Sequence, residues 1–188
     1  MDTLKRVVLW RNLLASGNEY CALWRTREGW ALRGTALAAF NDHLPMVATY
    51  EVLCDEQWRT RRVVVKGTSG GNTRTLNLSV DGRGRWLTAR KQLPALSECV
   101  DVDLGITPAT NTLPIRRLKL KTGQSASVTA AWVKFPEIVV QPLAQTYTRL
   151  GPDRYRYESA TGFSTEILVD DLGLVTEYRS GWKRVASL

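Results

Sequence analysis

The chain has 188 residues, a length that fits one domain and can bury a core without disulfide bonds. Its apolar content of 44% and its seven tryptophans exclude a disordered polar chain. The net charge is +8, but the cations are dispersed along the sequence. A solvated basic face is therefore predicted in preference to a surface dedicated to nucleic acid.

The cysteines and the N-terminal segment indicate where the protein works. Cys21, Cys54 and Cys99 lie far apart and form no C-x-x-C pair, so we expect reduced thiols in strands or core. The opening segment MDTLKRVVLWRNLL lacks the pattern of a signal peptide. No segment approaches the roughly 20 apolar residues that span a bilayer. These features predict a soluble, cytoplasmic protein without a cofactor or a metal site.

Alternation of apolar and polar residues dominates the first half of the chain and predicts β-strands. A bend is expected at Gly34, and the DGRG sequence at 81–84 predicts a hairpin turn because Asp-Gly tolerates positive φ angles. The predicted strands, in chain order, are EYCALWRT, WALRGTALAAF, MVATYEVLCD, WRTRRVVVKG, TRTLNLSV and RWLTAR.

A single helix is predicted within the segment DVDLGITPATNTLPIRRLKL, residues 101–120. Asn111 or Thr112 can cap its start, Pro114 fits the first turn, and Gly123 can end it. A helix of about two to three turns must be held by packing. We therefore expect the sheet to curl around the helix, which would fill the concave apolar face.

Alternation returns after the helix and predicts further strands. They are SVTAAWVKF, EIVVQPLAQTYTRL, RYRYES, STEILVDD and GLVTEYRS, with breaks at Pro136 and Pro142 and a turn at 170–173. The predicted architecture is a single domain over residues 1–188 that is mainly β. One many-stranded, curved antiparallel sheet, between a half-barrel and a near-closed barrel, wraps around one α-helix.

Carboxylates are the best candidates for chemistry. His43 is the only histidine and lies beside a proline in a predicted turn, so the usual base of a catalytic triad is lacking. Asp101 and Asp103 share a face of a strand, and Glu51 interrupts an apolar strand. Such carboxylates can act as an acid/base pair on a glycoside or accept hydrogen bonds from sugar hydroxyls. Equally, Asp101 can cap a turn or pair with an arginine.

Aromatic residues are unusually frequent for one sheet. Their faces can stack on sugar rings or line lipid pockets, and they can equally form cross-strand pairs in the core, to which we assign most of the tryptophans. They are Trp10, Trp24, Trp30, Trp58, Trp86, Trp132 and Trp182, with Tyr147, Tyr155, Tyr157 and Tyr178.

Several strings carry a resemblance to a known family. They are DVDLGITPATNTLPIRRL, TYEVLCDEQWRTRRVVV, LNLSVDGRGRW, the Gln-x-Tyr of LAQTYTRL, YRYES and ILVDDLGLVTEY. From about Trp24 to Trp182, the chain resembles the bacterial glycolipid-binding family, long a family of unknown function. The resemblance implies a curved antiparallel sheet around one helix, a tight homodimer, and remote similarity to lipoprotein localisation factors.

The resemblance also implies a ligand and a site. The expected partner is a glycolipid or another amphiphile, with transient contact to a membrane surface. The implied pocket contains the carboxylates Asp101, Asp103 and Glu51 and the aromatic walls Tyr147, Tyr157 and Trp86. Asn111 and Arg116 are expected to hold the start of the helix.

Three functions stay open from the sequence. The first is non-catalytic binding of a glycolipid-like amphiphile, in which the curved sheet shelters acyl chains. The second is an enzyme that acts on a glycolipid or sugar ester with Asp or Glu as acid and base. The third is an interaction protein that uses its dimer surface or its basic face.

Overall fold

The computed structural model describes residues 1–14, 16–39, 45–89, 91–179 and 181–188. In these ranges the chain forms fifteen strands, one α-helix and two short 3-10 helices. The strands are β1 Thr3–Asn12, β2 Gly17–Arg25, β3 Gly29–Ala38, β4 Met46–Asp55, β5 Thr60–Ser69, β6 Asn72–Val80, β7 Trp86–Thr88, β8 Lys91–Gln92, β9 Cys99–Leu104, β10 Ser125–Lys134, β11 Val139–Arg149, β12 Arg154–Ser159, β13 Ser164–Val169, β14 Val175–Tyr178 and β15 Trp182–Ser187. The helix α1 is Thr112–Leu118, and the 3-10 helices are Pro94–Leu96 and Ala109–Asn111.

All fifteen strands belong to one sheet, in the order β8 to β1, then β15 to β9. Neighbouring strands are antiparallel except β9 and β10, which are parallel. The two halves of the sheet join where β1 pairs with β15, so the two ends of the chain lie side by side at its centre. The sequence did not predict these two strands.

The sheet curves until its two ends approach each other without closing. The edge strand β9 contacts the first half through two hydrogen bonds. The Val102 backbone N–H donates to the Thr60 Oγ1 atom at 3.0 Å, and the Trp86 Nε1 atom donates to the Cys99 carbonyl at 2.8 Å. The prediction of a curved sheet between a half-barrel and a near-closed barrel is confirmed.

The concave side of the sheet is filled by the protein's own side chains. The helix buries Leu113 and Ile115 there, and Trp10 spans the joint between the halves by donating its Nε1 hydrogen to the Val175 carbonyl at 2.7 Å. The same core cluster includes Leu23, Leu32, Val52 and Val63 from the first half and Leu104, Ile167, Leu174 and Val175 from the second. The prediction that the helix fills the concave face is confirmed.

The helix ends before Gly123, the residue at which its end was predicted. It ends at Leu118 because Lys119 adopts the left-handed conformation, with φ of 48°. This turn carries Leu120 back into the core, where it is 8% exposed. Gly123 instead lies in the loop that leads to β10.

One predicted interruption of a strand is wrong. Strand β11 runs through Pro142, because β12 pairs with β11 only from Gln145 onward. The missing N–H of Pro142 therefore breaks no hydrogen bond on that side. Strand β3 continues through Gly34, the position of the predicted bend, and a Cβ atom there would lie 2.3 Å from the Tyr50 ring. Gly34 makes room for that ring.

Candidate functional site

The candidate site is a cavity of about 310 Å³ where the loop between β9 and α1 meets the second half of the sheet. Its polar lining comes from Asn12, Asp103, Thr107, Asn111, Ser159 and Thr161. Its aromatic lining comes from Trp132, Tyr157, Phe163, Tyr178 and Trp182. Such a mixture of aromatic faces and a few polar groups is typical of a small-molecule site.

Asp103 is the carboxylate of this cavity. It lies near the end of β9, in register with Trp132 of β10, and accepts a hydrogen bond at its Oδ2 atom from the Gln145 Nε2 atom at 2.5 Å. Burial raises the pKa of Asp103 to about 6, although the hydrogen bond from Gln145 opposes the shift. The Oδ1 atom has no partner among the described residues and can accept a hydrogen bond from a ligand.

The aromatic lining is a connected cluster. Tyr157 contacts Phe163, with ring centroids 6.2 Å apart, and Phe163 stacks on Tyr178 at 6.0 Å. Behind them, Tyr147 meets Tyr157 edge-on at 5.2 Å. Burial raises the pKa of Tyr157 and Tyr178 well above the usual value, so both phenols stay neutral and can donate hydrogen bonds.

Asn111 connects the helix start to the cavity. The Tyr147 hydroxyl donates to the Asn111 Oδ1 atom at 2.9 Å, and the Asn111 Nδ2 atom donates to the Pro108 carbonyl at 3.2 Å. Asn111 is the residue before the helix, as predicted, but its side chain does not cap the helix. These two bonds fix the orientation of an amide that lines the cavity.

A buried glutamate supports the same loop from behind. The Glu19 Oε1 atom accepts hydrogen bonds from the Tyr50 hydroxyl and from the Thr107 hydroxyl, the latter at 2.6 Å. Its Oε2 atom is buried without a partner, and burial raises the pKa of Glu19 to about 8. Glu19 thus anchors Thr107, a residue of the cavity wall. Glu19 was not predicted as a functional residue, although it alternates in phase with Cys21 and Leu23 of the inner face.

The six predicted site residues fall in different places. Asp103 and Tyr157 line the cavity, and Tyr147 lies directly behind Tyr157. Asp101 is buried and faces Arg117 of the helix, whose Nε and Nη2 atoms donate to it at 3.0 Å and 2.6 Å. Burial raises the pKa of Asp101, and the Arg117 guanidinium opposes that shift.

The other two predicted residues lie away from the cavity. Trp86 is buried at the opposite end of β9, where its indole bonds to the Cys99 carbonyl. Glu51 faces the outer side of the sheet, and its Oε1 atom accepts a hydrogen bond from the Arg33 Nε atom at 2.8 Å. His43 lies outside the described residues.

Several lining residues were not singled out by the sequence. Trp132, Tyr178 and Trp182 were noted only as members of the aromatic set, and Phe163 carried no distinguishing signal. Gln145, which donates to Asp103, was noted only within the Gln-x-Tyr string of the family resemblance. All of them sit at strand ends or in alternating positions that only the fold brings together. No group of three or more metal-ligating side chains occurs in the described part of the chain. Nor does that part contain a helix with the length and hydropathy needed to cross a membrane.

Comparisons with known proteins agree with this fold. Residues 7–184 match the model of the family described as "Putative glycolipid-binding". The chain is also similar to a solved structure, a DUF1089 family protein from Pseudomonas aeruginosa, with a TM-score of 0.81 and 34% sequence identity. That similarity covers 89% of this chain and 92% of the other. A comparison with curated proteins finds no match. On this evidence, the chain belongs to the glycolipid-binding family.

Proposed function

We propose that the protein binds the sugar head group of a glycolipid in this cavity and does not transform it. The observation that carries the proposal is the free Oδ1 atom of Asp103 inside an aromatic wall. Carboxylates accept strong hydrogen bonds from hydroxyls, and aromatic faces stack on sugar rings. The volume of about 310 Å³ lies at the small end of ligand pockets, which suits a head group.

The lipid chain would then lie outside the sheet. The concave side is occupied by the core, so it does not offer the acyl shelter that a carrier of lipoproteins would need. Leu13 and Leu14 are 56% and 76% exposed beside the cavity, and Leu14 lines it. An acyl chain, still partly inserted in a membrane, would run across these two leucines.

Titration calorimetry with octyl glycosides of glucose, galactose and mannose tests the proposal. We expect at least one glycoside to bind, and Asp103→Asn to weaken it about tenfold, because a charge-assisted hydrogen bond contributes roughly 1.5–3 kcal/mol. Leu14→Ser should weaken the octyl glycoside and leave the methyl glycoside unchanged. Leu188→Ser, the same loss of an apolar side chain at an exposed leucine outside both the cavity and the proposed dimer face, is the control. Unchanged affinity in Asp103→Asn would remove Asp103 from the site.

An enzyme that acts on the same sugar is the second candidate. The observation in its favour is the pKa of Asp103, which at about 6 suits general acid or base catalysis near neutral pH. Among the described residues, however, Asp103 is the only carboxylate that lines the cavity, while a glycosidase uses a pair. Release of free sugar from the bound glycoside, abolished in Asp103→Asn, would establish catalysis.

We also propose that the outer face of the first half of the sheet forms a homodimer. Two cross-strand pairs of exposed apolar residues lie there, Leu9 with Tyr20 and Leu37 with Val47. Exposed apolar patches on a sheet face mark association sites. Light scattering should give a dimer mass, and Tyr20→Glu with Leu37→Glu should give the monomer mass. A monomeric wild type would contradict the dimer.

A further inference from the structure

A second cavity, of about 440 Å³, lies where β9 begins, at the end of that strand away from Asp103. It is formed by the start of β5, the turn after β6, the start of β9 and the last turn of the helix. Four arginines line it: Arg59, Arg61, Arg83 and Arg117. No carboxylate among the described residues is part of the lining. The cavity is therefore strongly basic.

Two of the arginines are held in place by buried or half-buried carboxylates. Arg117 uses its Nε and Nη2 atoms on Asp101, which leaves its Nη1 atom without a partner in the described ranges. Arg61 donates its Nη2 hydrogen to the Asp55 Oδ2 atom at 2.7 Å. Guanidinium groups that are fixed in this way are preorganised donors, since a ligand need not order them.

The other two arginines carry uncompensated charge. Arg59 and Arg83 are exposed, and their side chains form no ion pair with any described residue. Two carboxylates near them in sequence are already engaged. Asp55 accepts the Arg59 backbone N–H and pairs with Arg61. Asp81 accepts the Arg83 backbone N–H and pairs with Arg85 at 2.7 Å. A positive potential therefore remains in the cavity.

We propose that this cavity binds a phosphate group, either as a soluble phosphate ester or as the head group of a phospholipid. Arginine's planar fork matches the geometry of phosphate oxygens and donates two hydrogen bonds at once. A phosphate dianion has three terminal acceptor oxygens, so it can use the free donors of several arginines together. The site is separate from the sugar cavity, so it does not depend on the function proposed for that cavity.

Calorimetry with inorganic phosphate at low ionic strength is the first test. Wild type should bind in a saturable manner, and Arg59→Gln with Arg83→Gln should weaken binding at least about tenfold, as the loss of charge-assisted donors predicts. The matched control is Arg154→Gln with Arg156→Gln. It removes the same charge at exposed arginines outside the cavity and should leave the affinity within about twofold. Absence of saturable binding, or equal weakening by both double variants, would overturn the proposal.

Two further probes identify the source of the phosphate. Vesicles of phosphatidic acid in phosphatidylcholine test a lipid head group, and glycerol phosphate tests a soluble ester. Sedimentation with the vesicles that is lost in Arg59→Gln/Arg83→Gln, and competed by inorganic phosphate, assigns the site to a lipid. Binding of glycerol phosphate without vesicle binding assigns it to a soluble ester. Vesicle binding that both double variants weaken equally contradicts a lipid site, because it reports the net charge alone.

Discussion

At the scale of residues, two aspartates that lie two positions apart in the sequence have different environments and partners. Asp101 and Asp103 share a strand, yet Asp101 is 1% exposed and locked to Arg117, while Asp103 keeps one oxygen free in the cavity. One carboxylate therefore serves the fold and the other serves the candidate site. The spacing alone predicted a shared face and could not reveal this division, because the partner arginine comes from the helix.

Ligand affinity should depend on pH through Asp103. Its carboxyl has a pKa of about 6, so it is mostly charged at pH 7 and mostly neutral at pH 5. A charged carboxylate is the stronger acceptor for sugar hydroxyls. The affinity for the bound octyl glycoside should rise between about pH 5 and about pH 7, and the rise should be absent in Asp103→Asn. A parallel rise in that variant would assign the effect to another group.

Stability should depend on pH through Glu19. The carboxyl has a pKa of about 8 in the folded protein and near 4.5 when unfolded, so the folded state binds more protons between these values. The free energy of unfolding therefore falls as pH rises through this range, by several kcal/mol. Glu19→Gln keeps the neutral shape and should flatten the decline. Urea denaturation from pH 5 to about pH 9 measures it, and identical pH profiles for both proteins would refute the assignment.

At the scale of elements, an ion pair between Arg117 and Asp101 joins the helix to β9 in addition to the packing of its apolar side chains. Arg117 is 17% exposed and Asp101 only 2% at the side chain, so the removal of one partner leaves a charge buried and unpaired. We expect Arg117→Ala to lower the free energy of unfolding by about 3–5 kcal/mol. The exposed Arg156→Ala should change it by less than about 0.5 kcal/mol. If both variants lowered the free energy of unfolding by the same small amount, the Arg117–Asp101 ion pair would not contribute to the stability of the fold.

Local patterns were enough to predict most elements. The alternation of residues identified most of the longer strands, and Pro114 identified the first turn of the helix. The predicted break at Pro142 was wrong because the consequence of a proline depends on whether a neighbouring strand is paired there. The predicted helix end was wrong because Lys119 adopts a conformation that glycine usually takes.

At the scale of the whole molecule, pairing between distant segments determines the site. Strands β1 and β15 join the two halves and place Asn12 beside Trp182 at the rim of the cavity. These two strands lie at opposite ends of the chain, so no local sequence pattern predicts that they pair. Two hydrogen bonds of the site likewise leave no local signal in the sequence: the one from Gln145 to Asp103 and the one from Tyr50 to Glu19. The second bond also requires the space that Gly34 leaves for the Tyr50 ring. The carboxylate and one aromatic wall were predictable, and the rest of the pocket was not.

The filled concave face is the reason why we propose a use other than that of an acyl carrier. Side chains of α1 and both sheet halves occupy the space in which a lipid chain would have to lie. We therefore propose that the protein recognises the head group and that the lipid chain lies at the exposed Leu13 and Leu14. If the protein instead buried the acyl chain, the free energy of binding would become more favourable by about 0.8 kcal/mol for each buried methylene.

The most direct test separates the head group from the chain by calorimetry with two probes. One is the methyl glycoside of the sugar that binds best, and the other is octyl tetraethylene glycol ether, which has the same chain as the octyl glycosides and no sugar. We predict that the methyl glycoside binds, with a dependence on Asp103, and that the ether does not. Binding of the ether as tight as that of the octyl glycoside, with no binding of the methyl glycoside, would contradict head-group recognition.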